Sequence, residues 1–294
     1  MLFGPLIGSL LYMAGGFKAP FIVVGLILIV STFVLSKVVP HETKHEIVER
    51  FNASHSIEVQ NSNGKDSFWQ VCSIPYISLT IIATAACEMG LVFKEPIMQL
   101  RLLHDFNLNI GIVGVIFSID VLTFCGTCFI LGRIDEKKKP FHRLIAAGLF
   151  VFSLAHLLSG PSPWIFPDSL GILITGSLLL GVGGSFIKTS SIASMHQTYT
   201  FLFGKTTPRA QNAIASVNCS GQALGQIVGP ILGSFMTDWL TYRLAFFISS
   251  IMFLVFAIVF TMVTNCEEKR RRGGILDQKY TKMPSENNGV QMGE

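Results

Sequence analysis

Three carboxylates, Glu88, Glu95 and Asp120, fall where so apolar a chain has least reason to carry charge. Glu88 closes a charge-free run from 67 to 87, and Asp120 alone interrupts the run from 106 to 132. An acid within a membrane-length apolar run is costly and by default marks an ion, proton or substrate site. Burial raises a carboxyl pKa and a nearby cation lowers it, so one such group can hold a proton or a cation, but not both at once. Glu95 follows Glu88 by seven residues, close to two helical turns, so the two share a face that is expected to point inward. Pro96 cannot donate to the carbonyl of Val92 and is expected to kink the helix, which frees a carbonyl beside the Glu95 carboxylate to receive an ammonium. A solvated place at the membrane interface is the plainer alternative for Glu95.

Polar residues near these acids have two uses each. Lys94 and Lys188 both lie within predicted spans. Lys188 either neutralises an acid as a buried pair or snorkels to the interface, and its position late in its run favours snorkelling. Asn218 and Gln222, one turn apart, offer amides to a bound cation, although hydrogen bonding between helices is the more ordinary role. Cys125 and Cys128 have redox-motif spacing but sit in mid-run with no βαβ pattern, which reads as packing. No phosphate loop, metal cluster or nucleophile triad stands out in the sequence. The expectation is therefore no enzyme, cofactor, metal or nucleic-acid partner.

The elements that must position these residues follow from composition. Half of the 294 residues are hydrophobic and 14% charged, with a mean hydropathy of +0.55; soluble domains carry roughly a quarter charged. Charge-free runs at 1–17, 19–36, 67–87, 144–167, 169–187, 210–237 and 244–266, with 106–132, read as eight membrane spans, the first two short. Their length, without ten-residue alternation, predicts an all-α membrane protein rather than a barrel. With Ser73 as N-cap and Pro75 at the first helical position, Glu88 lies about 20 Å along the third span. Of 22 Lys and Arg residues, 17 fall in the connections after the second, fourth and sixth spans and in the C-terminal tail. Basic connections stay on the cytosolic side. The expected organisation is two spans over 1–37, a central cytosolic loop over 38–67, six spans over 68–266, and a disordered cytosolic tail over 267–294. Lys269 to Arg272 of that tail are expected to lie close to anionic lipid.

A motif repeats across this plan. Gly4, Pro5 and Gly8 return at the same spacing as Gly229, Pro230 and Gly233, each time followed by serine and set in an apolar stretch. The later copy lies in the fifth of six spans. If the halves are parallel repeats, the earlier copy also belongs to a fifth span, and the chain is expected to hold the last two helices of a first half plus a complete second half.

The GP-x-x-GS signature resembles the antiporter motif of the major facilitator superfamily. GRIDEKKKP, with Gly132 and Asp135, resembles a degenerate form of that superfamily's cytosolic loop signature. IPYISLTIIATAACEMGLVFKEP at 74–96 and NAIASVNCSGQALGQIVGPILGS at 212–234 resemble the vesicular amine transporter family, especially its polyamine branch. The resemblance implies a twelve-helix fold and proton-coupled antiport of a polyamine or related organic cation into acidic vesicles of secretory or synaptic type. Its partners would be protons, the organic cation and membrane lipids. By the same resemblance Glu95, in the matching Met-Gly to Glu-Pro stretch, takes part in binding amine and protons. KTSS from Lys188 and IASVN around Ser216 stand where the family carries acids in the fourth and fifth helices of this half, which points away from monoamines and acetylcholine. The alternative is a transport-inactive truncated product acting by interaction or dominant-negative effect. Because repeat transporters bind between their halves, this chain alone is expected not to transport.

Cysteine tags placed in 41–67 and in the tail are expected to label from the cytosol. Labelling of either from the opposite side would reverse the predicted orientation.

Overall fold

The computed structural model describes residues 4–38, 68–134, 140–160, 165, 167–204 and 206–281. The central loop from residue 39 onward, Asp135 and the final residues of the tail lie outside this set. The described residues form helices α1 (Gly4–Gly15), α2 (Lys18–Val38), α3 (Phe68–Cys72), α4 (Pro75–His104), α5 (Ile110–Arg133), α6 (Phe141–Ser159), α7 (Leu170–Phe203), α8 (Pro208–Trp239) and α9 (Tyr242–Thr281), with no strand among them.

Six of these helices are long and apolar enough to cross a membrane: α2, α4, α5, α6, α7 and the Tyr242–Lys269 part of α9. The other two predicted spans differ from expectation for separate reasons. Helix α1 has only 12 residues. Helix α8 has 32 residues, but Asn, Gln, Ser and Gly dilute its hydropathy. Those residues are the means by which α8 packs.

Glycines at 221, 225, 229 and 233 form one stripe along α8, and an added Cβ on each would strike α4 at Ile81, Ala85, Met89 and Phe93 in turn. Small residues at four-residue spacing let helix backbones approach closely where lipid offers no hydrophobic drive. The contacts rise together along both helices, so α4 and α8 run parallel. The two last glycines belong to the repeated Gly-Pro motif, and a Cβ there would lie 2.6 Å from the carbonyl oxygens of Met89 and Phe93 respectively. By contrast, Gly4 and Gly8 of the earlier copy face open space.

Helix α7 lies antiparallel to α4, since partners fall along α7 as they rise along α4: Tyr76 with Ser194, then Thr84 with Ser191. Helix α6 packs on both α7 and α9. Between them a core gathers Ala83, Cys87, Leu149, Phe152, Ile187 and Phe253, all buried. Helix α1 packs on α5, while α2 packs on α1 and contains no buried residue.

Two local expectations are corrected. Ile74, not Ser73, is the N-cap of α4, with Pro75 at the first helical position as predicted. The Ser73 hydroxyl instead donates to the carbonyl of Trp69, closing the short helix α3. Helix α9 also continues to Thr281, past the point at which a disordered tail was expected. Glu, Lys and Arg from 267 to 272 are good helix formers, and they extend a helix already nucleated in the bundle.

The glycine stripe yields a paired test. Gly225→Ala, whose Cβ would meet the Ala85 carbonyl, should destabilise the chain by about 1–3 kcal/mol. Gly8→Ala, with nothing within 4 Å, should be neutral or raise stability by up to about 1 kcal/mol through helix propensity. Thermal melts of the two variants in one detergent decide it. Equal losses would mean the stripe is not a close-packed seam.

Candidate functional site

Each buried acid sits where a glycine on a neighbouring helix makes room. Gly225 of α8 lies against Glu88 and Met89, so the Glu88 side chain is held in the α4–α8 seam, only 3% exposed. Gly181 of α7 lies against the Asp120 carbonyl and Thr123, bringing α7 onto α5 at Asp120, which is 9% exposed. Neither acid could ionise alone there without a large desolvation cost.

Both are paired with lysine. Lys188 Nζ of α7 lies 2.5 Å from Glu88 Oε1, and the other oxygen, Oε2, accepts from Gln226 Nε2 of α8 at 3.4 Å. Lys94 Nζ of α4 donates to Asp120 Oδ2 of α5 at 2.6 Å. Asp120 Oδ1 is buried without a hydrogen-bond partner. A phenyl ring flanks each ammonium: Phe124 lies 5.7 Å from Lys188 Nζ and Phe117 lies 5.7 Å from Lys94 Nζ, measured to the ring centroid. Three helices thus supply the two ion pairs, and α8 adds the Gln226 amide.

The Lys188 expectation is therefore corrected. Lys188 does not snorkel away but reaches inward to Glu88, because a neutral buried pair is cheaper than a lone carboxylate in the seam. Lys94, which the sequence analysis left without a role, is the partner of Asp120. The signal was present: a lysine inside an apolar run is as costly as an acid, and the two oppositely charged kinds balance.

The spacing argument for Glu88 and Glu95 holds for the helix but not for its surroundings. At Glu88 that face is covered by α7 and α8. At Glu95 it opens: the side chain is exposed and lines a cavity of about 700 Å³ with Gly8, Ser9, Tyr12, Gln99 and Phe117. Pro96 lies inside an uninterrupted helix. The cavity brings the earlier Gly-Pro motif beside the one candidate acid that is not buried. Asn218 is 2% exposed with its Oδ1 unpartnered, and Gln222 is half-buried one turn further along α8. Gly132 lies in the last turn of α5 with open space around it.

A second polar knot lies at the far end of α4. Arg101, 6% exposed, pairs with Asp168 before α7 and with Asp105 at 3.5 Å. Its guanidinium lies 4.1 Å from the centroid of the Tyr242 ring of α9, and the Tyr242 hydroxyl donates to the Ser159 carbonyl of α6 at 3.0 Å. Nothing in the sequence analysis pointed to this cluster, because Asp168 and Tyr242 lie 67 and 141 residues from Arg101.

The arrangement holds compensated carboxylates between membrane-length helices, beside a cavity bearing a further acid. Comparison with known proteins gives the chain a family. The chain is 25% identical over 193 residues to the human "MFS-type transporter SLC18B1", covering 64% of this chain and 39% of that protein. The mouse and rat proteins of the same name match at 25% over 190 residues, covering 63% of this chain and 38% of each relative. The chain thus spans about two fifths of the length of the curated relatives it matches. Residues 1–201, more than half the chain, match the Major Facilitator Superfamily, and with its membrane-length helices and repeated Gly-Pro motif the chain belongs to that superfamily.

Proposed function

We propose that this sequence forms part of a secondary transporter that exchanges protons for a polyamine or related organic cation, loading an acidic vesicle. The observation that carries the reading is the pair of buried carboxylates, Glu88 and Asp120, each already neutralised by an ammonium group at a helix interface. A site that holds a carboxylate only when a cation compensates it accepts a proton or an ammonium by the same electrostatic rule. Glu95, exposed to the cavity beside Gly8 and Ser9, is the acid that an arriving cation meets first.

On this reading the two bound forms are mutually exclusive. Protonation of a carboxylate removes the charge that holds the organic cation, and release of the proton restores it. The cytosolic placement of the basic connections and tail, the vesicle membrane and the absence of a family acid at Ser216 belong to the same proposal. The relatives' printed name supports transport; the polyamine assignment rests on the resemblance of 74–96 and 212–234 to the polyamine branch of the amine transporters.

The test is uptake of radiolabelled spermidine and spermine into proteoliposomes with an imposed pH gradient, using a full-length twelve-helix parent that carries this sequence. Glu95→Gln, Glu88→Gln and Asp120→Asn should each lower gradient-driven uptake by tenfold or more, about 1.4 kcal/mol or above, with membrane insertion intact. The 294-residue chain by itself should show no gradient-dependent accumulation. Unchanged uptake in all three variants would remove the carboxylates from the mechanism.

A further inference from the structure

We propose that Lys94 and Lys188 are tethered occupants of two ammonium-binding sites, and that a linear cation with two primary ammonium groups binds by displacing them. The proposal rests on the cation-exchange reading above and assigns it a ligand geometry. The two sites have the same composition. One is Asp120 Oδ2 at 2.6 Å from Lys94 Nζ with the Phe117 ring 5.7 Å away. The other is Glu88 Oε1 at 2.5 Å from Lys188 Nζ with the Phe124 ring 5.7 Å away. A carboxylate plus a phenyl face is a recognition set for an ammonium, combining a charge-assisted hydrogen bond with cation–π attraction.

Three further observations favour occupancy over simple cross-linking. Both phenyl rings come from α5, seven residues apart and so about 10 Å along its axis, whereas the two lysines come from different helices, α4 and α7. Asp120 and both rings thus belong to one helix, Glu88 completes its site from α4, and the two lysine stems reach in from separate helices. Each carboxylate also keeps acceptor capacity that its lysine does not use: Asp120 Oδ1 has no partner, and Glu88 Oε2 receives only the 3.4 Å contact from Gln226. Finally, the Lys188 side chain is 27% exposed while that of Lys94 is 2% exposed, so one site is reachable before the other. Exchanging one ammonium for another keeps each carboxylate compensated, while the displaced lysine carries its charge out of the site or gives up a proton. No buried carboxylate is left uncompensated, which is the outcome that carries the large cost.

Replacing either lysine by alanine removes three methylenes and the ammonium, leaving a void the shape of n-propylammonium beside an unpaired carboxylate. The experiment uses the purified 294-residue chain and its Lys94→Ala, Lys188→Ala and double variants in detergent, with thermal midpoints as the readout. Millimolar n-propylammonium should raise the midpoint of each single variant by several degrees and leave the unmutated chain unmoved. The neutral n-propanol and the bulky tetramethylammonium should do nothing. Spermidine should act on the double variant at a concentration roughly tenfold or more below that of propylammonium, since a second ammonium then binds intramolecularly. It should act on the unmutated chain at least about tenfold more weakly than on the double variant, because the resident lysines compete.

If an alanine variant does not accumulate folded, expression with propylammonium in the medium is the second measurement, and recovery there but not with propanol supports the sites equally. Equal shifts in all four chains, a propanol response matching that of propylammonium, or no rescue of either variant overturns the proposal. Rescue without gradient-driven uptake by the full-length parent would leave the sites standing and defeat the transport reading. Uptake without rescue would leave transport standing and reduce the lysines to structural cross-links.

Discussion

A fixed charge cannot stand alone between apolar helices, and most of this structure follows from meeting that condition twice. Glu88 and Asp120 are each brought to within hydrogen-bond distance of a lysine from a neighbouring helix. These pairs set which helices must be neighbours: α4 joins α5 through one and α7 through the other. A mispaired bundle would strand at least one acid and one base without compensation, at several kcal/mol each. Such pairs add little net stability relative to an apolar core, but they discriminate strongly against the wrong helix arrangement.

The glycine stripe of α8 supplies the complementary condition, proximity. Close approach of α8 to α4 at Gly225 places Gln226 near Glu88 and seals the acid from lipid. The same approach explains why α8, long enough at 32 residues, falls outside the set of helices apolar enough to cross a membrane. Its apolar surface is traded for backbone contact, which in a bilayer is the more effective means of holding helices together. In α1 the matching glycines face open space, so the motif alone does not dictate what packs on it.

Much of this was legible in the sequence, and the parts that were not share a cause. Charge-free runs located the helices, because the cost of a lone charge in hydrocarbon acts locally on every window. The acids stood out for the same reason. Their partners did not: nothing local links Lys94 to Asp120 across 26 residues or Lys188 to Glu88 across 100. A positional bias favouring snorkelling misplaced Lys188 because it weighed one side chain's reach without the demand of the acid opposite. The cap at Ile74 was misread because Ser73 had a better use in closing α3. Glycines at 221 and 225 completed a four-residue period with the motif glycines, and that pattern was readable without any structure.

The Arg101 cluster has an electrostatic consequence. One guanidinium joins α4 to the segment before α7 and to the ring of α9, while that ring's hydroxyl grips the end of α6. At the other end of α4, Tyr76 and Thr84 meet Ser194 and Ser191 of α7 through hydroxyls, beside an apolar cluster that includes Ile77, Met195 and Tyr199. The two mouths are thus held by different means, charge at Arg101 and apolar packing with hydroxyl contacts at Tyr76, so added salt weakens the first more than the second.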